Sequence, residues 1–320
     1  MRGAQVRAAV IFRTHIWDDF ARRQFDRLRA RVVHGDVFVL ADETNGSLGC
    51  IAHDGVVRMT EADALRLGLA RRGQQNLMWF NGDYPLYYFF SLHPHYDYYL
   101  QIEYDVVMNT DVDELVRRAA ADGTDFVGLT KGEPVEVWAW RHTCLDAYDG
   151  KDIRYQLICC CLLSRRALER LFAQRRELSS RLRNDQAWPY CEGFIATEIR
   201  LAGMKSAELS DYIDTAAYDT WPPYLESELA KFATAPVIHP VLDQPRYIAS
   251  LLKYKVGVAG YLNPLSLFHR KLRRLSARDY LDALATSFAV KVRRTLRNHG
   301  LIRTWKVTGQ APVQTISTPR

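Results

Sequence analysis

Glu103 and Asp105 stand one residue apart at the end of an apolar run, YYLQIEYDVVMN. In a strand, positions i and i+2 project to the same side, so the spacing predicts both carboxylates on one face. Side by side they repel and lose hydration. A divalent cation that prefers oxygen ligands, Mn²⁺ or Mg²⁺, would relieve both costs. The same triplet also reads as a strand end with solvated acids. Further along, WFNGD joins Trp79 and Phe80 to Asn81, Gly82 and Asp83. A glycine between polar residues suits a tight loop close to a ligand, and equally an ordinary turn.

The elements that must position these residues are legible as alternating periods. Val6–Phe12, Asp36–Ala41 and Tyr98–Ile102 are short β-type runs. Trp17–Ala30 and residues 61–72 read as helices between them. That alternation predicts βαβ units and a parallel sheet. Thr110 opens an expected helix, TDVDELVRRAAADG, with acids in its first turn and Gly123 to stop it. Asp125–Leu129 and Tyr155–Leu163 are further apolar runs, and Ser164 starts another helix. Open α/β sheets bind ligands beyond the carboxyl ends of their strands, where Glu103 and Asp105 fall.

With that arrangement the segment WFNGDYPLYYFF…YDYYLQIEYDVV resembles uncharacterised bacterial members of the GT-A fold, the nucleotide-sugar-dependent glycosyltransferases. In them a DxD-like motif ends a central strand and holds the metal that bridges the donor diphosphate. The resemblance implies a GT-A-like (Rossmann-like) α/β fold, with a mixed, mostly parallel sheet flanked by helices. It implies metal ligation by Asp105 with Glu103, where Glu replaces the usual Asp, and by His239 of the VIHP segment. Pro240 forces His239 into an extended conformation, and a plain loop histidine is the other reading. Thr14, His15 and Asp42, at strand ends, fall where the family holds the base and ribose of the donor, with Asn81 and Asp83 nearby. Asp42 is either such a partner or a cap on the next turn.

Inverting members place a general base at the start of a helix facing the acceptor. Here Asp185–Gly193 opens the helix GFIATEIRLAG, which makes Glu192 the first candidate and Asp185 the second. A base is needed to take the acceptor hydroxyl's proton as it attacks the anomeric carbon. Glu192 could instead only complement the helix dipole. Loop aromatics Trp138, Trp140, Trp188, Tyr190, Trp221 and Tyr224 include candidates for stacking on a sugar. The implied activity is metal-dependent, inverting transfer of a sugar from a nucleoside-diphosphate donor to a saccharide or lipid-linked acceptor, in the setting of cell-surface polysaccharide synthesis.

Composition narrows the rivals. The 320 residues are 48% hydrophobic and 25% charged, which suits a globular chain and excludes disordered or collagenous classes. Six cysteines, three of them consecutive at 159–161, form no CxxC pair, so neither structural zinc nor a disulfide framework is expected. No GxGxxG and no P-loop supports another cofactor. A sugar nucleotidyltransferase would want a Gly-rich basic loop after the first strand, and RTHIWDDF offers only Arg13. A non-catalytic carbohydrate- or membrane-binding protein on the same fold is the rival from another class.

The formal charge of +6 is unevenly spread: residues 265–320 hold 12 Lys and Arg against 2 Asp and Glu, leaving a net −4 on residues 1–264. A catalytic domain over 1–262 and a basic helical extension over 263–320 with a disordered end are therefore expected. Leu281, Leu284, Phe288 and Val292 recur at helical spacing between basic clusters. Such a stretch suits an anionic membrane surface, or a helix packed on the body with a solvated basic face. Nucleic acid ranks below both, since no recognition motif accompanies the charge. A cytoplasmic protein, placed peripherally on the inner face of the membrane by its tail, is the expectation.

Overall fold

The structure, a computed structural model, describes residues 6–72, 76–130, 133–253 and 263–298, with backbone alone at 252, 253, 287, 288 and 290–298. Two compact units emerge from the packing. The first takes in Met1–Asp219 and Lys231–Pro240, the second Thr220–Ala230 and Val241–Arg320. Packing thus divides the chain elsewhere than charge does, because the segments around Leu225 and Leu242 bury their apolar side chains with the C-terminal helices.

The first unit is a mixed, mostly parallel α/β sheet flanked by helices, as expected. Its seven strands are β1 (Ala8–Thr14), β2 (Asp36–Asp42), β3 (Val56–Met59), β4 (Tyr98–Glu103), β6 (Phe126–Leu129), β7 (Leu157–Ser164) and β8 (Ser206–Glu208), in the order β3-β2-β1-β4-β7-β6-β8. β3, β2, β1 and β4 run parallel, and β7 alone is antiparallel to its neighbours β4 and β6. The strand order reverses between β1 and β4, and a crevice opens at such a reversal beyond the strands' carboxyl ends.

Period-2 alternation distributes β1 between two cores. Ala9 and Ile11 join one cluster, Val10 and Phe12 the other, and both faces are covered. On the first face lie α4 (Tyr84–Leu92), α6 (Arg165–Arg181) and α7 (Cys191–Leu201). On the second lie α1 (Asp19–Arg29) and α5 (Val112–Ala121). Asp18, Asp111 and Ser164 cap α1, α5 and α6 through side-chain bonds to Ala21, Glu114 and Ala167 N–H groups. The helix expected over 61–72 is only α2 (Glu61–Arg66), since Gly68 turns out of it at φ +80°. The short α3 (Leu77–Phe80) precedes α4. Two-residue β5 (Val107–Met108) pairs antiparallel with β10 (Val237–Ile238), which carries the late His239 segment back to the end of β4.

In the second unit β9 (Tyr224–Leu225) pairs with β11 (Val241–Leu242). α8 (Gln244–Lys253) and the helices Leu267–Leu272 and Ala277–Asn298 gather Tyr247, Leu251, Phe268, Leu272 and Ala283 into a core. Leu284 packs against it while Leu281 is exposed. The side chains of Phe288 and Val292, and the end expected to be disordered, lie outside the described residues. Among the described residues no helix is long and apolar enough to cross a membrane.

Candidate functional site

The parallel register sets Arg13 of β1 beside Glu103 of β4, at the reversal point. Arg13 Nη1 donates to Glu103 Oε1 at 3.0 Å, Nη2 donates to the Met78 carbonyl at 2.7 Å, and Nη1 also reaches the Gly82 carbonyl at 3.3 Å. The ion pair is mostly shielded from water. A Cβ on Gly82 would sit 3.0 Å from Arg13 Nη1, so the absence of a side chain there keeps this approach open.

The chain does not continue as a strand past Glu103. Val106 N–H bonds back to the Glu103 carbonyl at 2.9 Å, so Asp105 lies in a turn. The i, i+2 spacing therefore does not by itself set both carboxylates on one face, because that rule needs an unbroken strand. Asp105 instead meets His239, whose Nε2 lies 3.7 Å from Asp105 Oδ1. Asp105 Oδ1 is buried without a hydrogen-bond partner. Burial pushes the Asp105 carboxyl up to about 7, against the opposing pull of its own backbone N–H and of Arg13. His239 is held by its backbone as well as its ring: its N–H bonds to the Ala217 carbonyl, and its Nδ1 bonds the Asp219 carbonyl. A carbonyl only accepts, so Nδ1 carries a proton, and Nε2 is the ring nitrogen on the Asp105 side.

That pairing bears on the expected metal. Among the described residues no three His, Cys, Asp or Glu side chains are grouped to hold an ion, so the trio of Glu103, Asp105 and His239 does not assemble. Glu103 is engaged by Arg13 instead. Asp105 and His239 do fit as a pair. Two donors about 2.1 Å from one small cation lie roughly 3–4 Å apart, and a ligating histidine commonly commits its other nitrogen to a carbonyl.

Glu192 lies in the first turn of α7 and is buried. It has no hydrogen-bond partner among the described residues. Burial, and then the nearby Glu103 charge, push its carboxyl up to about 8. Gly193 follows it because a Cβ there would come within 2.7 Å of the Trp138 ring and of Cys144 Sγ. Asp185, the second candidate base, is brought to no such place: its exposed carboxylate pairs with Arg183 on the surface.

The expected donor contacts separate too. The Thr14 hydroxyl is buried and closes a turn onto Ile16. His15 is exposed at the strand edge, its ring edge-on to Tyr104 at 5.0 Å. Asp42 Oδ1 accepts from Thr44 N–H at 3.0 Å, the capping alternative. Asn81 and Asp83 are fully buried. Asn81 Oδ1 accepts from Trp188 Nε1 at 2.8 Å, and Asp83 forms a salt bridge with Arg175 in which neither side chain is exposed. Both therefore leave the set of donor contacts: their polar atoms are consumed inside the fold. Cys160 is pushed up to about 12 by burial, and Cys159 and Cys161 likewise rise, so these thiols are packing groups.

Sequence reasoning passed over Arg13 as a site residue. A lone arginine on the face of β1 that otherwise carries Ala9 and Ile11 was the available signal. Of the loop aromatics, Trp138, Trp188 and Tyr190 are buried and Trp140 is half-buried, and Trp221 and Tyr224 belong to the second unit. Trp79 is the exposed one of the cluster, at 38%.

Comparison with models of protein families and with curated proteins finds no match. Among solved structures, a glycosyltransferase involved in the glycosylation of the major capsid of PBCV-1 superposes with a TM-score of 0.39 and 8% identity, over 75% of this chain and 97% of that one. A score that low leaves the functional reading to the residues themselves.

Proposed function

We propose that the protein is a metal-dependent glycosyltransferase of GT-A type. It moves a sugar from a nucleoside-diphosphate donor to a hydroxyl of a saccharide or lipid-linked acceptor, with inversion. The observation that carries this reading is the buried Asp105 Oδ1, without a hydrogen-bond partner and 3.7 Å from His239 Nε2, at the carboxyl edge where the strand order reverses. Asp105 and His239 would hold Mn²⁺ or Mg²⁺ and leave its other positions for diphosphate oxygens and water, the usual habit of such ions. The cation, when bound, supplies neutralisation of the charge that develops on the leaving diphosphate.

The chain's own groups do the rest. Glu192, held out of water beside Glu103, accepts the acceptor hydroxyl's proton. The acceptor oxygen bonds to the anomeric carbon as the bond from that carbon to the diphosphate oxygen breaks, and the electron pair departs with the diphosphate. A carboxyl raised to about 8 is a stronger base than a solvated one, once ionised. Arg13 fixes the α3 loop and the Glu103 charge in one place, so the base and the cation pair face a fixed field. The exposed Leu281 and the basic residues of the tail would set the enzyme against an anionic membrane.

The test is thermal denaturation with nucleoside diphosphates and sugar nucleotides, with and without Mn²⁺. At a ligand concentration a hundred times Kd, a one-site ligand adds about 2.7 kcal/mol. The expected result is stabilisation by a nucleoside diphosphate that needs Mn²⁺ and vanishes in Asp105→Asn and His239→Ala. Stabilisation that ignores both metal and substitutions overturns the site assignment. No nucleotide binding at all favours the non-catalytic rival.

A further inference from the structure

We propose that Trp79, backed by Trp140 and Tyr190, forms a saccharide-binding platform near the start of the helix that bears Glu192, and that it seats the apolar face of an acceptor pyranose. Its role in catalysis rests on the transferase reading; its capacity to bind sugar does not.

Trp79 is the starting point because it is exposed and yet fixed. Its backbone N–H donates to Asn76 Oδ1 at 2.9 Å, and the Met78 carbonyl before it is held by Arg13. Its ring lies 5.6 Å from Trp140 and 5.4 Å from Tyr190. Trp140 in turn stacks on Tyr190 at 4.9 Å with 18° between planes, and Thr143 Oγ1 anchors its carbonyl at 2.6 Å. Tyr190 is the N-cap of α7, two residues before Glu192. One rigid train of rings therefore runs from the Arg13–Glu103 end of the sheet to the turn that bears the candidate base.

A large aromatic surface left in water and held by its neighbours has already lost the entropy that ligand binding would otherwise remove. Sugars match such a surface: C–H groups cover a flat face while hydroxyls rim the ring. A polar group adjoins this one. His142 stacks on Trp140 at 6.3 Å with 29° between planes, and its Nδ1 bonds the Ala139 carbonyl. That leaves Nε2 with no partner among the described residues. An alkyl chain would gain nothing from this group or from the buried carboxyl of Glu192.

The experiment titrates the full chain, without donor or metal, with cellotetraose and with maltotetraose. Tryptophan fluorescence and saturation-transfer NMR are the readouts. The expected result is a saturable change with at least one of them. Trp79→Ala and Trp140→Ala should weaken it about tenfold and Trp79→Phe less, in proportion to the ring area lost. Circular dichroism confirms that the exposed position leaves the fold intact. Absence of a saturable change in the wild type, or equal binding by Trp79→Ala, overturns the proposal. So does a response to dodecylphosphocholine monomers but to neither sugar, which would make the platform a lipid site. Sugar binding without Mn²⁺-dependent nucleotide binding keeps the platform and sinks the transferase; the reverse pattern keeps the transferase and sinks the platform.

Discussion

Asp83 and Asp105 are both carboxylates drawn out of bulk water within the same unit, and they are treated in opposite ways. Asp83 is saturated: Arg175 Nε reaches its Oδ2 at 2.6 Å and Nη2 its Oδ1 at 3.2 Å. The guanidinium also donates to the Pro189 carbonyl and lies 3.7 Å over the Phe194 ring. Asp105 keeps a buried oxygen with no hydrogen-bond donor, 3.7 Å from Nε2 of His239, a ring whose other nitrogen bonds the Asp219 carbonyl. Folding alone favours the first arrangement, since an unmade buried bond costs about 1–3 kcal/mol. On the proposed reading, the second carboxylate is left wanting because a cation would arrive there after folding.

The comparison breaks if the two aspartates respond alike. Asp105→Asn is expected to lower transfer about 10⁴-fold, about 5 kcal/mol of transition-state stabilisation, by weakening cation and diphosphate binding. Its folding stability at pH 8 should be equal or higher, because a costly buried charge is gone. Asp83→Ala should do the reverse, losing about 3–5 kcal/mol of stability by stranding Arg175. Urea unfolding of the two variants, with transfer rates measured at matched folded fraction, checks both. A large stability loss in Asp105→Asn would make that residue another structural carboxylate.

This contrast was only half legible in the sequence. The apolar runs of β1, β2, β4, β6 and β7 stood out because both faces of their sheet are buried, and the helix start at Ser164 because a side-chain oxygen serves there. Asp105, His239 and Glu192 were reachable as residue types at strand and helix ends. What failed were the partnerships. Asn81-Gly82-Asp83 reads as a turn, and nothing local announces that Asp83 will meet Arg175, 92 residues on. The β5–β10 pair that brings His239 to Asp105 is two residues long on each side, too short for any period to show. Glu103 looked like a ligand because spacing rules assume the strand continues, and a single turn hydrogen bond ends it.

Glu192 sharpens the comparison through pH. Its carboxyl, facing Glu103, is raised to about 8, and that of Asp105, facing Arg13 and His239, to about 7. In the unfolded chain both ionise near their ordinary values, so the folded state binds more protons between about pH 4.5 and 8. Stability therefore falls as pH rises through that window and levels above it. The melting temperature followed from about pH 4.5 to 9 should decline less in Glu192→Gln and Asp105→Asn than in the wild type. The rate runs the other way, since the base must be ionised: transfer should climb toward a plateau above about pH 8. Glu192→Gln should lose that limb and about 10²–10³-fold in rate. A rate that ignores pH between about 6 and 9 would leave Glu192 only its place at the helix dipole.

The smallest effect asks whether the backbone under Glu192 is held as tightly as its side chain. In an ordinary helix Gly→Ala gains about 1 kcal/mol from propensity. At Gly193 the added Cβ would lie 2.7 Å from both the Trp138 ring and Cys144 Sγ. Trp138 has no room to withdraw, since it stacks on Tyr155 at 4.8 Å with 8° between planes. Overpacking of that kind costs about 1–3 kcal/mol and should outweigh the propensity gain. Gly193→Ala is then expected to be mildly destabilised, with a rate loss well below that of Glu192→Gln, because the first turn of α7 shifts while the carboxyl survives. If the variant is instead stabilised at full activity, the Trp138 contact is slack and the placement of Glu192 does not depend on it.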